Sequence, residues 1–487
     1  MLIFLAIIFS LFLDNAIART TLTASDLEFV GAFKMPAQVG PSYAETQYGS
    51  GLALRRVNGE VRLFSGTWSA GVPDLYEVTI PTLTTSAPWN AAPVERVWGQ
   101  VLTDRLGNLQ GLYWDETDSR LYYTSSWDYP GDGDDYRPTL AYLTLDDNNG
   151  TATSYGRWGY TNRSFRQVNF GLTAIPSDFA TEYLDGKRLA AGFGGYQSLI
   201  SRGPVSLGPS LTAFNPPTTE PAGGYLSNTP LVGYGGSGSW TSGSRPTVNR
   251  AWRDDDVIHD IYENIGEADG STQNTASYWH LTGDESFYWQ GYSVNGLSRE
   301  GYPDYVTFDE SAIVTKHWEP GNAFWNTDYI FQSATWIQTA NKEGFLLLGM
   351  FDTGHVWYWE STSHAEGMNY KWLIYSREQL ASVAQGVTGE DDIQPSRYDT
   401  DLREHSGVVS LAHSGISRYS CTGMVFDPVD SKLYVAIQFA SNAPTMSATW
   451  STHLIYVYNI KDTLSPNIPP WKSNAFKFGT TPVRFQE

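Results

Sequence analysis

The sequence predicts an all-β fold made of repeated four-stranded sheets, and three observations support this: a duplicated hairpin, a regular period and a spare strand near the start of the chain. The hairpin sequence Gly111–Tyr122 returns in similar form as Gly423–Tyr434, with six of its 12 residues identical and a turn of Asp and Ser between two apolar strands in each copy. Looser copies begin at Gly51 and Gly171, so three successive copies start 60 residues apart. A period of this size carried by hairpins is typical of a β-propeller, a ring of sheets called blades.

Two further apolar segments follow each hairpin and complete a blade of four antiparallel strands. The predicted third strands are Asp74–Ile80, Thr139–Thr144 and Ser210–Phe214, and the predicted fourth strands are Val94–Trp98, Ser154–Trp158 and Pro230–Tyr234. The 252 residues between Gly171 and Gly423 leave room for about four blade periods, and Ser333–Gly349 has the pattern of another hairpin. We therefore expect seven blades, with six as the alternative.

The segment Leu27–Phe33 is an apolar strand with no hairpin partner nearby. It is expected to pair with the last blade near Ile455–Ile460, which would close the ring and remove an exposed sheet edge. Because no linker rich in Pro and Ser divides residues 19–487, we expect this part to form a single propeller domain. Residues 240–330 are irregular in pattern and are interpreted as an expanded segment of that domain.

The first residues, Met1–Ala18, are a run of Leu, Ile and Phe that ends in small residues. This pattern predicts a secretory signal peptide cleaved after Ala18, and hence a secreted, periplasmic or cell-surface protein. The absence of Lys or Arg ahead of the apolar run leaves an uncleaved anchor as the alternative. Cys421 is the one cysteine, so no internal disulfide can form, and we expect it to be a buried apolar residue.

The formal net charge is −21, from 31 basic and 52 acidic residues. The electric field of such a negative charge repels nucleic acids and anionic membranes, so neither is expected as a partner. The signal peptide is the one segment expected to meet a membrane. Aromatic residues make up 14% of the chain, with 18 Trp and 30 Tyr, and several lie in predicted loops. Because exposed aromatic rings suit stacking against sugars, an extracellular polysaccharide is expected as the partner of a monomeric protein.

Propeller topology sorts the loops onto two faces. The turn inside the first hairpin of each blade lies on one face, here the far face, where the acids of Asp115–Ser119 and Asp427–Ser431 are expected to form turns. The other loops lie on the opposite, near face, and clustered arginines there suit a carboxylated or sulfated sugar. The predicted substrate-binding residues of the near face are Trp127, Tyr129, Arg163, Arg166, Asn169, Arg245 and His355.

Two histidines, His259 and His280, lie in the aromatic-rich expanded segment, where a catalytic role is expected. With Tyr196 and Arg202 of the near-face loops they would suit β-elimination on a uronate polymer. Arginine would neutralise the sugar carboxylate, while His or Tyr would exchange protons with the sugar ring and the leaving oxygen. The alternative is that both histidines are packed residues with backbone partners, and abundant acids also leave a paired-carboxylate glycosidase open.

A run of acids, Asp254, Asp255 and Asp256, supplies hard oxygen ligands suited to Ca²⁺, although its spacing matches no EF-hand loop. A solvated turn is one alternative, and zinc bound by His259 and His280 is another. The chain contains no HExxH, CxxC or GxSxG motif, which removes support for zincin and α/β-hydrolase chemistry.

The phrase from Gly423 to Val435, with its Phe-Asp-Pro and Leu-Tyr-Val, resembles the hairpins of NHL, YVTN and regucalcin-type propellers. Because unrelated propellers share this phrase, the resemblance implies the fold and no particular activity. The predicted architecture is also similar to that of ulvan lyases, secreted propellers that use His, Tyr and Arg in a central cleft, and this similarity implies a polysaccharide lyase. The alternatives are a non-catalytic binding or adhesion propeller and a calcium- or quinone-dependent enzyme acting on small molecules.

Overall fold

The computed structural model describes most of the predicted strands. The described residues are 19–36, 39, 51–66, 74–101, 108–126, 139–161, 168, 170–192, 209–217, 224–233, 275–281, 287–293, 333–359, 362–400, 421–442 and 451–462. Within these ranges the chain is mainly β-strand, with two α-helices, α1 (Ser177–Tyr183) and α2 (Arg377–Ala384). Neither helix is long or apolar enough to cross a membrane. The all-β expectation is confirmed.

Blades 1 and 2 are built from consecutive strands. The first two strands of the described residues are β1 (Thr20–Thr21) and β2 (Leu27–Lys34), which pair with strands of later blades. Blade 1 contains β3 (Ala53–Val57), β4 (Glu60–Gly66), β5 (Asp74–Thr79) and β6 (Val94–Gln100). Blade 2 contains β7 (Asn108–Asp115), β8 (Arg120–Ser126), β9 (Leu140–Asp146) and β10 (Thr151–Tyr160). The hairpin and the third and fourth strands therefore follow the predicted order.

Blades 3 to 5 complete the set of sheets. Blade 3 contains β11 (Phe170–Ala174), β12 (Leu189–Gly192), β13 (Leu211–Phe214) and β15 (Asn228–Val232), while the short β14 (Tyr225–Leu226) pairs with β10. An extra hairpin precedes blade 4 and consists of β16 (Thr275–Leu281) and β17 (Phe287–Ser293). Blade 4 contains β18 (Ala334–Gln338), β19 (Lys342–Trp359), β20 (Thr362–Tyr375) and β21 (Ser396–Thr400). Blade 5 contains β22 (Cys421–Asp427), β23 (Lys432–Asn442), β24 (Ser451–Ile460) and the N-terminal β2.

The ring has five blades, and the predicted count of seven is wrong for the described residues. The first strands contact one another in a closed circle, in the order β3, β7, β11, β18, β22 and back to β3. The interval from Gly171 to Gly423 contains fewer blades than its length suggests, because blade 4 has long second and third strands and contains α2 between its third and fourth strands. The β16–β17 hairpin joins the sheet of blade 4 and starts no blade of its own.

The N-terminal strand closes the ring as predicted. Strand β2 pairs antiparallel with β24, with Leu27 opposite Ile460 and Phe33 opposite Ile455. Blade 5 is thus assembled from both ends of the described chain, and β2 pairs with the edge of β24 that would otherwise be exposed. Just before β2, the strand β1 pairs in parallel with β19, so the same N-terminal segment also attaches to blade 4.

The repeated Gly-Leu sequence is required by the close packing of the first strands around the axis of the ring. A Cβ atom added to Gly51 would lie 2.7 Å from Cγ of Leu112 in the next blade. Around the ring closure, a Cβ on Gly423 would lie 2.6 Å from Cβ of Leu52. Each glycine therefore makes room for the leucine of the following blade, since packed interiors leave no space for an extra methyl group.

Replacing Gly423 by alanine is expected to destabilise the fold by about 1–3 kcal/mol through overpacking. The new Cβ would also meet backbone atoms of Gly51 and Leu52 at 2.9 Å, which cannot move as a side chain can. Gly224→Ala is the matched control, because the nearest atom to its added Cβ is Trp158 Cδ1 at 3.9 Å, and it should change stability by less than about 0.5 kcal/mol. Urea unfolding of the two variants measures the difference, and equal losses would contradict this packing role.

The acidic hairpin turns of the far face stabilise their own loops. One carboxylate oxygen of Asp115 accepts the backbone N–H of Thr117 at 3.0 Å, and Asp427 accepts that of Val429 at the same distance. The first aspartate of each turn thus replaces a backbone acceptor. The structure assigns these two acids to the turns, in line with the expectation from sequence.

The same turns also connect neighbouring blades. Arg188, just before β12, forms ion pairs with Asp115 and Asp118 of blade 2. Arg56 of blade 1 forms ion pairs with Asp427 and with Asp430 of blade 5, the latter at 2.7 Å. The far-face turns therefore lie on one rim, and one of these arginine contacts spans the closure of the ring.

The far end of blade 4 contains a charged cluster. Arg19 Nη1 lies 2.7 Å from Asp178 Oδ2, and Arg377 Nη1 lies 3.0 Å from Glu343 Oε1. Gln338 Nε2 donates to Asp178 Oδ1 at 2.9 Å. Burial would raise the pKa of Asp178, but these hydrogen bonds and the charges of Arg377 and Arg19 outweigh it and lower that pKa to about 2.

Acid is therefore expected to weaken the fold partly through Asp178. A carboxyl with a lowered folded-state pKa contributes stability above its unfolded value of about 3.9 and loses it as the pH falls toward about 2. The melting temperature should fall between about pH 5 and about pH 2, and it should fall less steeply in Asp178→Asn. Calorimetry across this range measures both slopes, and identical slopes would rule out a role for Asp178.

Cys421 is buried, as expected from sequence. It lies at the start of β22, on the first strand of blade 5, and the residue is 4% exposed. Burial raises the pKa of the Cys421 thiol to about 12, so the thiol stays protonated and serves as a small core side chain.

Candidate functional site

Most residues of the predicted site lie outside the described part of the chain. These residues are Trp127, Tyr129, Arg163, Arg166, Asn169, Tyr196, Arg202, Arg245, Asp254, Asp255, Asp256 and His259. The near-face cleft and the calcium site at the three aspartates stay predictions. Within the described ranges, no group of three or more His, Cys, Asp or Glu residues could hold a metal ion. Two predicted residues, His280 and His355, lie on described strands.

Blade 4 extends beyond the near face of the ring. Strand β19 starts at the far rim, and its ladder with β18 ends where Leu347 pairs with Ala334. It then continues to Trp359, and β20 returns beside it from Thr362. At about 3.4 Å per residue, the part beyond the ladder with β18 is on the order of 35 Å long. This two-stranded extension is a feature of blade 4, since the other four sheets pair over shorter strands.

The β16–β17 hairpin widens this extension into a four-stranded sheet. Strand β16 pairs with β17 along its whole length, from Thr275 opposite Ser293 to Leu281 opposite Phe287. Strand β16 also pairs with the outer part of β19, where Tyr278 lies opposite Trp357. We call the sheet formed by β16, β17, residues 349–359 of β19 and residues 362–371 of β20 the canopy. It contains both described histidines of the predicted site.

The strand register defines one row of residues across the canopy. Gln290 pairs with Tyr278, Tyr278 with Trp357, and Trp357 with His364. Directly paired residues share a face of a sheet, so these four positions lie on one face. We call them the Trp357 row. His280 lies two residues from Tyr278 along β16, and it therefore shares this face.

The opposite face carries the neighbouring row. Ser277 pairs with Gly291 and with Tyr358, and Tyr358 pairs with Ser363. Adjacent residues of one strand alternate between faces, so Trp357 and Tyr358 lie on opposite sides of the canopy. This alternation supplies matched pairs of positions for testing which face is functional.

His355 occupies an irregular position. The register between β19 and β20 shifts between Thr353 and Val356, where β19 has one residue more than its partner. Such β-bulges bend a strand and re-aim its residues, and they are common beside functional sites. His355 lies in this bulge, so the pairing does not assign it to the face of the Trp357 row.

The residue types of the Trp357 row suit a sugar ligand. Indole and phenol rings provide flat apolar surfaces, and the glutamine amide provides both donors and an acceptor. Imidazole titrates near neutral pH and can act as a general base or acid. With the position of His280 on the same face, the strand register brings together residue types that can stack, form hydrogen bonds and transfer protons.

His364 was not singled out from the sequence. The register that places it opposite Trp357 comes from the long antiparallel pairing of β19 with β20, which runs from Phe345 opposite Tyr375 to Trp359 opposite Thr362. The pattern of Ser333–Gly349 predicted the preceding hairpin, β18 with β19, and covered just the first part of β19. Alternation of apolar and polar residues that continues on both sides of residues 360–361 is the sequence signal that would have indicated this pairing.

Comparisons with known proteins give no family assignment. Neither a family model nor a curated protein sequence matches this chain. Similar solved structures include a candidate glycoside hydrolase from Parabacteroides distasonis, with a TM-score of 0.35, 12% identity and coverage of 92% of this chain and 96% of the other. An α-L-arabinofuranosidase from Podospora anserina has a TM-score of 0.29, 10% identity and coverage of 90% and 99%.

The hemagglutinin-neuraminidase ectodomain of parainfluenza virus 5 has a TM-score of 0.32, 11% identity and coverage of 94% of this chain and 93% of the other. These TM-scores are too low to support an argument about the fold or the activity of this chain. The five-bladed fold therefore rests on the strand pairing itself.

Proposed function

We propose that this protein is a secreted, carbohydrate-active propeller that binds an acidic polysaccharide and cleaves it by β-elimination. The observation that carries the proposal is the Trp357 row with His280 on the same face of the canopy. A face that combines stacking groups with a proton-transfer group can hold a sugar ring and act on it. The near-face arginines predicted from sequence would supply the positive charge that an acidic sugar requires.

The proposed reaction is an elimination that requires a base and an acid and no cofactor. A neutral His280 removes the proton from C5 of a uronate, the C4–O glycosidic bond breaks, and a C4=C5 double bond forms. The leaving oxygen takes a proton from an acid, for which Tyr196 is the candidate. Arg202 would neutralise the carboxylate next to C5 and so stabilise the developing negative charge. Tyr196 and Arg202 lie outside the described residues, and their roles rest on the sequence.

The elimination assay tests this proposal. The mature chain is incubated with polygalacturonate, alginate, ulvan and glycosaminoglycans, and ultraviolet absorbance and reducing ends are followed together. A rise in both is expected for one class of polymer, because elimination creates an unsaturated sugar. Reducing ends without absorbance would indicate a hydrolase instead.

A non-catalytic binding propeller is the second candidate, and one observation favours it. The face opposite the Trp357 row also carries aromatic positions, at Trp279, Trp289 and Tyr358. A single reactive site needs aromatic residues on one face alone. Aromatic residues on both faces of a sheet are also suited to packing against a partner, as in adhesion. Retention of a polymer on an affinity gel with no new reducing ends would support this function.

A further inference from the structure

We propose that the polysaccharide lies across the strands of the canopy, along the Trp357 row, so that the protein recognises several consecutive sugars within a polymer. This inference rests on the proposed glycan ligand and deepens it. It also assigns His364 as a further binding residue at one end of the row, with Gln290 at the other.

The spacing of the row supports this direction. Neighbouring strands are about 4.8 Å apart, so the four positions of the row span on the order of 14 Å. The strand spacing is close to the advance per sugar of an extended polysaccharide. Successive sugars can therefore meet successive strands, whereas a chain running along one strand would meet alternate residues of that strand alone.

The order of residue types along the row gives a second reason. The two central positions, Tyr278 and Trp357, are aromatic, and the two end positions, Gln290 and His364, are polar. An aromatic platform with polar ends suits sugar rings whose hydroxyl or carboxylate groups need hydrogen bonds at both sides. The neighbouring row on the opposite face has glycine or serine at three of its four positions, and it offers a single ring, Tyr358.

The edges of the sheet explain why an internal stretch of polymer is favoured. Among the described strands, β17 is the last in its sheet, and β20 pairs with β21 over Tyr370–Ile374, away from His364. A sugar chain lying along the row would thus meet a sheet edge at each end and could continue past both. This arrangement predicts recognition within the polymer, in contrast to a pocket that encloses a chain end.

Binding as a function of oligosaccharide length tests the direction of the chain. Size-fractionated oligosaccharides of polygalacturonate, alginate and ulvan are titrated into the mature protein by calorimetry. Affinity is expected to rise with each added sugar until the oligosaccharide spans the row, and then to stay constant. Affinity that is independent of length would overturn the proposal.

Two neighbouring residues test the face. Trp357→Ala is expected to weaken binding of the longest oligosaccharide by about 10-fold, because a stacking surface is lost. Tyr358→Ala is the matched control, since it removes an aromatic ring from the same strand on the opposite face and should leave affinity within about 2-fold. Equal losses in two variants with unchanged melting temperatures would overturn the assignment of the face.

His364 has its own length-dependent test. His364→Ala should weaken binding of oligosaccharides that span the row and should leave shorter ones unaffected, with Ser363→Ala as the control on the opposite face. Equal weakening of all lengths would overturn its place at the end of the row. These readouts need no turnover, so length-dependent binding without elimination refutes the lyase alone, and elimination without length dependence refutes this inference alone.

Discussion

Replacing Glu77 by alanine is expected to remove about 3–5 kcal/mol from the free energy of unfolding. Both carboxylate oxygens of Glu77 bind the guanidinium of Arg55, at 2.6 Å and 2.7 Å, and both side chains are buried. Burial opposes the charged form of Arg55, but the bonds to Glu77 and Asp147 outweigh it and raise its pKa. The arginine therefore stays charged, and loss of Glu77 leaves a buried charge without its main partner.

Because of the position of Arg55, this ion pair also connects two blades. Its guanidinium lies over the ring of Phe64 at 5.2 Å and over that of Trp114, in blade 2, at 5.6 Å. Arg55 Nη2 also lies 2.9 Å from Asp147 Oδ1, just beyond strand β9 of blade 2. Weakening the pair should therefore loosen the contact between blades 1 and 2 as well as the interior of blade 1.

Asp147→Ala is the matched control. Asp147 binds the same guanidinium, but its side chain is 55% exposed, so water can replace it. Its loss should cost less than about 1 kcal/mol, as is usual for exposed ion pairs. Urea unfolding of both variants gives the comparison. Similar losses in Glu77→Ala and Asp147→Ala would mean that burial of the pair does not set its contribution.

The parts of the fold that sequence predicted are those encoded by neighbouring residues. The hairpin turns follow from aspartates that bond to their own backbone, as Asp115 and Asp427 do. The period follows from the glycines that admit a leucine of the next blade, as Gly51 admits Leu112. The unpaired strand Leu27–Phe33 required a partner, and β24 provides it. Each of these features has a local chemical signature.

The parts that sequence missed depend on pairings between distant residues. Tyr278 and Trp357 are brought together by strand register, and nothing near either residue in the chain specifies that register. The blade count failed for a related reason, because lengthening β19 and β20 adds residues without adding a blade. The buried partner of Arg55 was also invisible, since a Glu in an alternating strand has the pattern of a solvent-facing residue.

The second large effect is expected at His280. If this residue is the base of the elimination, His280→Ala should lower turnover of the polymer by about 10²–10⁴-fold while the KM changes little. His280→Gln should be equally inactive, because an amide can hold a hydrogen bond but cannot accept the sugar proton. The initial rate of absorbance increase over a range of polymer concentrations measures both parameters.

Ser277→Ala provides the control for this prediction, because Ser277 lies on the same strand but on the opposite face of the canopy. It should retain full turnover. A melting temperature within a few degrees of the parent would separate a lost base from a lost fold. If His280→Ala instead unfolds easily and keeps its activity per folded molecule, His280 is a packed histidine. Another residue would then have to accept the proton from C5 of the sugar, such as His364 or Tyr278, whose positions share the face of His280.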